Sequence, residues 1–193
     1  KDNIFFAIKG NKSDGNNYIN SAIQRGAKVI ISEKKKFKNI KNIIFITSKN
    51  VRKLLANTSF KILNKKPKNL IAVTGTNGKS SVADFYYQIL ELNSKKVASI
   101  GTIGVRCKDY KKNLENTTLD PIRLSYLLKD LNKKKIEYVI MEASSHGLKQ
   151  NRLDGLLFDM GIFTNLSHDH LDYHNDMNDY LNSKLDLFNE LIK

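Results

Sequence analysis

A short apolar run closed by a threonine, Leu70-Ile71-Ala72-Val73-Thr74, leads straight into Gly75-Thr76-Asn77-Gly78-Lys79-Ser80-Ser81, and a helical pattern follows over residues 79–92. A strand, a glycine loop and a helix in direct succession constrain this chain more than any other feature. Gly75 and Gly78 let the loop backbone curl so that its N–H groups turn inward. The start of the helix adds partial positive charge at the same place. Lys79 can then reach the β- and γ-phosphates of a nucleotide, and the Ser80 hydroxyl can ligate Mg²⁺. The general pattern of such loops has a glycine five positions before Gly78; Val73 stands there, so this is a variant phosphate loop. The alternative is a plain strand-to-helix turn containing a chance Gly-Lys pair. The apolar strand before and the helix after argue against it.

The flanking pattern gives the fold class. Residues 4–8 read as a strand and residues 16–25 as a helix stopped by Gly26. The β-branched runs at 29–32 and 43–47 read as buried strands, and 51–63 as an amphipathic helix. Pro67, one of two prolines, marks a boundary at about 64–69 that divides the chain into domains 1–66 and 67–193. Beyond it, strands are expected at 97–100, 103–107, 138–142 and 160–164, and helices at 121–133 and 177–191. The class is therefore α/β: a small N-terminal α/β domain, then a phosphate-loop domain with a mostly parallel sheet. Ligands collect at the carboxyl ends of such strands. The polar clusters TGTNGKSS, EASSH and TNLSHDH all fall there.

Charge narrows the partners. The net charge is +14. Residues 1–69 hold 17 Lys and Arg against 3 Asp and Glu, while the remainder holds 16 of each. A basic third can serve nucleic acid, an anionic ligand or a solvated face. Only five of the 33 basic residues are Arg, which is favoured for bidentate phosphate and base contacts, and aromatics do not interleave with the basic runs. Lys, Asn and Ile, all with AT-rich codons, make up 70 of 193 residues, so genome composition explains much of the lysine. Nucleic-acid binding is not expected, nor membrane insertion, because no apolar run approaches the length of a span. The single cysteine, Cys107, excludes an internal disulfide framework and fits a cytoplasmic location. Because the chain begins with Lys1, it reads as a fragment or a processed product.

Three further features carry chemistry. Glu142 ends the apolar strand Tyr138-Val139-Ile140-Met141. A carboxylate there is costly unless paired or metal-bound, though it can also simply emerge into solvent. Beside a phosphate loop it fits a Mg²⁺ ligand or a water-positioning group. All four histidines lie in residues 146–174, three of them as His168, His170 and His174 beside Asp169 and Asp172. Their spacing matches no zinc pattern well. The preferred reading turns His170 to the nucleotide–metal site and leaves His168 and His174 structural or supporting. Lys184 falls within the apolar stripe Met177, Tyr180, Leu181, Phe188 and Leu191. A lysine on a buried stripe must snorkel, pair, shift its pKa or be modified. Carbamylation would turn it from a repelling cation into a metal-binding carboxylate.

Taken together, VTGTNGKSS at 73–81, ENTTLDP at 115–121, MEASSHGLKQNRLDG at 141–155 and FTNLSHDHLDYHNDMNDYLNSK at 163–184 resemble the Mur ligase family, the ATP-dependent amide-forming enzymes of cell-wall synthesis. SSHGLKQNR and NLSHDHLDYH, within the third and fourth segments, together look most like the branch that adds the third amino acid of the peptide. DNIFFAIKGNKSDGNNYI at 2–19 is similar to the family's N-terminal uridine-nucleotide domain. The resemblance implies ATP and Mg²⁺ held by Gly75, Thr76, Asn77, Gly78, Lys79, Ser80 and Ser81. It implies Lys79, Glu142, His170 and carbamylated Lys184 as catalytic groups, with Ser80, Glu142, His170 and Lys184 around the metal. Asn116, Thr117, Thr118, Ser144, Gln150 and Arg152 would bind UDP-MurNAc-L-Ala-D-Glu, and Asn11, Lys12 and Ser13 occupy a short loop near the uridine nucleotide. The second substrate would be a free amino acid, meso-diaminopimelate or L-lysine, and a monomer is expected. Ser80-Ser81 replaces a commoner Thr-Thr, and His168 stands where Arg is often found. The family's third domain, which binds the amino acid, has no counterpart here, and the central sheet looks cut short after Lys193. The isolated chain is accordingly expected not to ligate. A folylpolyglutamate synthetase-like ligase, a basic nucleic-acid module and a kinase-like phosphate-loop enzyme are the rival readings.

Overall fold

The computed structural model describes residues 3–10, 13–34, 40–108 and 110–193. The chain divides into two compact units, Lys1–Leu55 and Ala56–Lys193. In the first, strands β1 (Asn3–Phe6), β2 (Ala27–Ser32) and β3 (Ile44–Thr47) form a parallel sheet in the order β1-β2-β3. A 3-10 turn at Gly15–Tyr18, capped by the Asp14 carboxylate, leads into α1 (Ile19–Gln24). Ile30 and Ile31 of β2 are buried, as expected of a central strand. β3 departs from its expected burial: Ile44 is 61% exposed and Ile46 41%. The reason is position, because β3 lies at the sheet edge with a partner on one side only.

Helix α2 (Val51–Ile62) crosses the division between the units. The composition change near Pro67 places the boundary later than the packing does, because Ala56 and Phe60 already belong to the core of the second unit.

The second unit is built on a six-stranded sheet in the order β7-β6-β5-β8-β4-β9. Strands β4 (Asn69–Thr74), β5 (Val97–Gly101), β8 (Tyr138–Glu142) and β9 (Met160–Phe163) run parallel. β6 (Gly104–Cys107) and β7 (Tyr110–Lys112) continue it antiparallel, and β7 was not anticipated. β4 shows why both faces are covered. Leu70 and Ala72 join one buried cluster with Leu124, Leu128 and Leu131 of α4 (Pro121–Lys133) and Leu187 of α6 (Met177–Glu190). Ile71 and Val73 point the other way, onto Ala83 of α3 (Lys79–Leu92). Alternating residues of an all-apolar strand thus feed two layers. The Asp120 carboxylate caps α4, accepting from the N–H groups of Ile122 and Arg123 with Pro121 at the first position. A short helix α5 (Ser145–Lys149), also unanticipated, is capped by the Ser144 hydroxyl. No described helix is long and apolar enough to cross a membrane.

The register aligns the functional ends. Val73 lies opposite Glu142, Thr74 opposite Phe163, and Ile100 opposite Met141. The loop after β4, the acid ending β8, the turn after β5 and the segment after β9 therefore emerge side by side.

Candidate functional site

The loop after β4 is held from below and from one side. Gly75 has φ 141°, and a Cβ there would lie 1.9 Å from Thr164 Oγ1. Only glycine fits this close approach. The segment after β9 laces onto the loop. The Thr76 N–H donates to the Asn165 carbonyl at 2.9 Å and the Asn77 N–H to Asn165 Oδ1 at 3.0 Å. Thr164 Oγ1 donates to the Asn77 carbonyl at 2.6 Å, and the Ser167 N–H to Thr76 Oγ1 at 3.0 Å. Gly78, at φ 82°, then starts the 14-residue α3 with no side chain capping it. The first N–H groups of α3 are thus left for a ligand. Lys79 Nζ donates to the carbonyls of Gly75 at 2.9 Å and Thr76 at 2.8 Å. Burial lowers its pKa, while Glu142 and Asp169 act in the opposite direction.

Glu142 is 3% exposed. Its Oε1 accepts from Ser80 Oγ at 2.9 Å and from the Thr102 N–H at 2.9 Å, and its Oε2 from Thr102 Oγ1 at 3.1 Å. A carboxylate held by donors on both oxygens is compatible with burial. Gly101, at the end of β5, makes the room: a Cβ there would lie 2.1 Å from Glu142 Oε1. The Ser80 hydroxyl and the Glu142 carboxylate are adjacent hard oxygen donors, which suits Mg²⁺. Among the described residues, no group of three or more His, Cys, Asp or Glu side chains could hold a metal by itself.

Lys184 is 1% exposed and does not snorkel. Its Nζ donates to the Gly75 carbonyl at 2.8 Å, the same oxygen that Lys79 uses, and sits 4.1 Å from the centre of the Tyr180 ring. Desolvation, and then the charge of Lys79, bring its pKa down from 10.5 to about 7, with Asp169 opposing. The sign for stability follows. Between about pH 7 and 10.5 the unfolded chain holds the lysine proton that the folded chain has lost, so stability rises with pH in that window. Below it the cost of burying a cation is fully present. The stability gap between wild type and Lys184→Met is therefore expected to favour the variant most below pH 7 and to narrow steadily toward pH 10, read by urea unfolding at several pH values. A gap independent of pH would refute the shifted amine.

The Tyr180 hydroxyl donates to Thr76 Oγ1 at 3.1 Å, so a stripe residue of α6 also braces the phosphate loop. His170 has φ 54° and is exposed; its ring stands edge-on to His146 at 5.1 Å and to Tyr180 at 6.0 Å. His146 stacks on Tyr173 at 4.0 Å, and its pKa is lowered, first by burial and then by His170. His174 is buried, and neither ring nitrogen has a hydrogen-bond partner. His168 is exposed.

Five of the residues expected to bind substrate, Thr117, Thr118, Ser144, Gln150 and Arg152, are linked by hydrogen bonds beside Glu142. Thr118 Oγ1 donates to the Glu142 carbonyl at 3.0 Å and accepts from the Ser144 N–H at 3.0 Å. Arg152 Nη1 donates to the Thr118 carbonyl at 2.6 Å, while its Nε and Nη2 hold Gln150 Oε1. Gln150 Nε2 reaches the Tyr173 hydroxyl at 3.1 Å. Thr117 Oγ1 lies 3.1 Å from Thr102 Oγ1, and Asn116 is exposed on the same loop.

The second unit thus brings together Lys79, Ser80, Glu142 and Lys184, with His170 at the rim and Thr117, Thr118, Ser144, Gln150 and Arg152 alongside. Asn11 and Lys12 lie outside the described residues, and Ser13 belongs to the first unit. Ser81 is exposed on the first turn of α3. Sequence patterning does not single out Thr102, His146 or Asn165 for the site, and it marks Tyr180 only as part of the apolar stripe. The only sequence signal for Thr102 is its place between Gly101 and Gly104 in a tight turn.

Comparison with known proteins places these elements. The model of the Mur ligase middle domain matches residues 73–193, and that of the Mur ligase family catalytic domain matches residues 1–69. The chain is 45% identical over 189 residues to UDP-N-acetylmuramoyl-L-alanyl-D-glutamate--2,6-diaminopimelate ligase of Rickettsia conorii (strain ATCC VR-613 / Malish 7), covering 96% of this chain and 39% of that protein. It is 44% identical over 197 residues to the ligase of the same name from Clostridium tetani (strain Massachusetts / E88), covering 100% and 40% respectively. A solved structure of a UDP-N-acetylmuramoyl-L-alanyl-D-glutamate--2,6-diaminopimelate ligase superposes with a TM-score of 0.79 at 31% identity, over 92% of this chain and 36% of that one. The chain therefore spans about two fifths of the length of the curated relatives it matches.

Proposed function

The chain belongs to the Mur ligase family, and we propose that the full-length protein joins a free amino acid to the D-glutamyl γ-carboxylate of UDP-MurNAc-L-Ala-D-Glu at the expense of ATP. The names of the relatives support diaminopimelate over lysine as that amino acid. One observation carries the reading: Lys79 and Lys184 both donate to the Gly75 carbonyl just past β4, and Ser80, next to Lys79, donates to Glu142 at the end of the adjacent β8.

The chemistry follows from these positions. A carboxylate is a poor acylating agent. One of its oxygens bonds to the γ-phosphorus as the bond from phosphorus to ADP breaks, giving an acyl phosphate. Lys79 leaves its two carbonyls and meets the charge that grows on the phosphoryl oxygens. The N–H groups opening α3 bind the phosphates. The amine of the second substrate then attacks the acyl carbon. The tetrahedral intermediate expels phosphate, and the nitrogen loses its proton to solvent, leaving an amide. Mg²⁺ held by Ser80 and Glu142 would neutralise phosphate charge. Near neutral pH the Lys184 amine is free to react with CO₂, forming an N–C bond and releasing a proton. The carbamate so formed would extend the acidic side of the site, with His170 at its rim.

The test supplies the full-length enzyme with ATP, UDP-MurNAc-L-Ala-D-Glu and either diaminopimelate or lysine. The tripeptide product should appear by mass with diaminopimelate. Turnover with dihydropteroate and glutamate instead would favour a folate-type ligase.

A further inference from the structure

The turn between β5 and β6 stands between two groups that the proposed reaction needs separately. Thr102 gives its backbone N–H to Glu142 Oε1 at 2.9 Å and its hydroxyl to Glu142 Oε2 at 3.1 Å. The same hydroxyl lies 3.1 Å from Thr117 Oγ1, on the loop expected to bind the peptide substrate. An ionised carboxylate only accepts hydrogen bonds, so the single Thr102 proton is committed to Glu142. The bond between the two threonines then has one possible direction: Thr117 donates to Thr102. Thr117 is left with lone pairs and no proton to offer.

We propose that Thr102 is a positioning residue that couples the Glu142 carboxylate to the substrate loop through a directed relay, Thr117 hydroxyl to Thr102 hydroxyl to carboxylate. The relay holds Glu142 in one orientation beside Ser80 and makes Thr117 an acceptor for an N–H group of the bound peptide. Its energy comes from bonds to an ionised group, which are stronger than neutral ones. Because both bonds run through the one Thr102 hydroxyl, a change at either end is felt at the other. The inference rests on the substrate reading above.

The test measures binding, not turnover, in the full-length enzyme. Dissociation constants are taken for UDP-MurNAc-L-Ala-D-Glu and, separately, for Mg²⁺ by calorimetry. Thr102→Val should weaken both by about 5- to 10-fold, and Thr102→Ser, which keeps the hydroxyl, should restore both to within about twofold. Thr117→Val cuts the relay from its other end without touching Glu142. It should weaken Mg²⁺ binding about two- to threefold as well as substrate binding, which keeps the test open if Thr102→Val does not fold. Unchanged Mg²⁺ affinity in Thr117→Val, or a Thr102→Ser variant as weak as Thr102→Val, would overturn the relay. Wild-type enzyme that binds Mg²⁺ but not the UDP-dipeptide would instead overturn the substrate reading, and this inference with it.

Discussion

Lys184→Met in the full-length enzyme is expected to lower kcat by at least about 100-fold while leaving the protein as stable as wild type, or more so. Methionine matches the lysine stem in shape and fills the same space among the α6 contacts. It also removes a nitrogen that is 1% exposed and that burial has pushed far from its ordinary pKa. Stability and activity should therefore separate, as they do where a fold accepts strain for function. Lys184→Arg should fail as completely. A guanidinium cannot shed its proton at any working pH, so it keeps a second fixed positive charge beside Lys79 and cannot take up CO₂. The checks are kcat with saturating substrates and a thermal melt. Activity within about threefold of wild type in either variant would remove Lys184 from the mechanism.

Glu142→Gln should cost about 100- to 1000-fold in kcat, within the range seen when a single charge-stabilising group is lost, and should raise the Mg²⁺ concentration needed for half-maximal rate. The side-chain volume is unchanged, so the fold is expected to hold. The hydrogen bonds are not unchanged. Three donors now converge on the carboxylate, from Ser80, the Thr102 N–H and the Thr102 hydroxyl. A glutamine amide offers one accepting oxygen and one donating nitrogen, so at least one of the hydroxyls must turn round. Magnesium titration of the rate reads this directly. A variant with wild-type magnesium dependence would show that Glu142 serves the sheet and not the metal.

Much of this arrangement can be read along the chain, and the parts that cannot share a cause. The bounds of α3 and α4 are local facts: Gly78 opens one, and Asp120 with Pro121 opens the other. Lys79, Ser80, Glu142 and Lys184 stand out because each breaks a pattern at the end or on the face of an element. Helix α5 has five residues and rests on the Ser144 cap, which Thr118 holds from a different loop. β7 is three residues, two of them lysine, and exists only as a partner to β6. No periodicity reaches such pieces. Thr102 is a turn residue until β5 is set beside β8, and the division within α2 depends on which core takes Ala56. Tyr180 shows the overlap of both kinds: its spacing marks it as core, which it is, while its hydroxyl bond to Thr76 is a product of tertiary structure alone.

The most direct measurement labels both γ-carboxylate oxygens of the D-glutamyl residue with ¹⁸O and follows them through one turnover of the full-length enzyme. A site that joins nucleotide, acid and buried amine to activate a carboxylate predicts one ¹⁸O in the released phosphate for each amide formed, and ADP release that depends on the UDP-dipeptide. Phosphate free of label, or ADP formed at the same rate without the UDP-dipeptide, would contradict it.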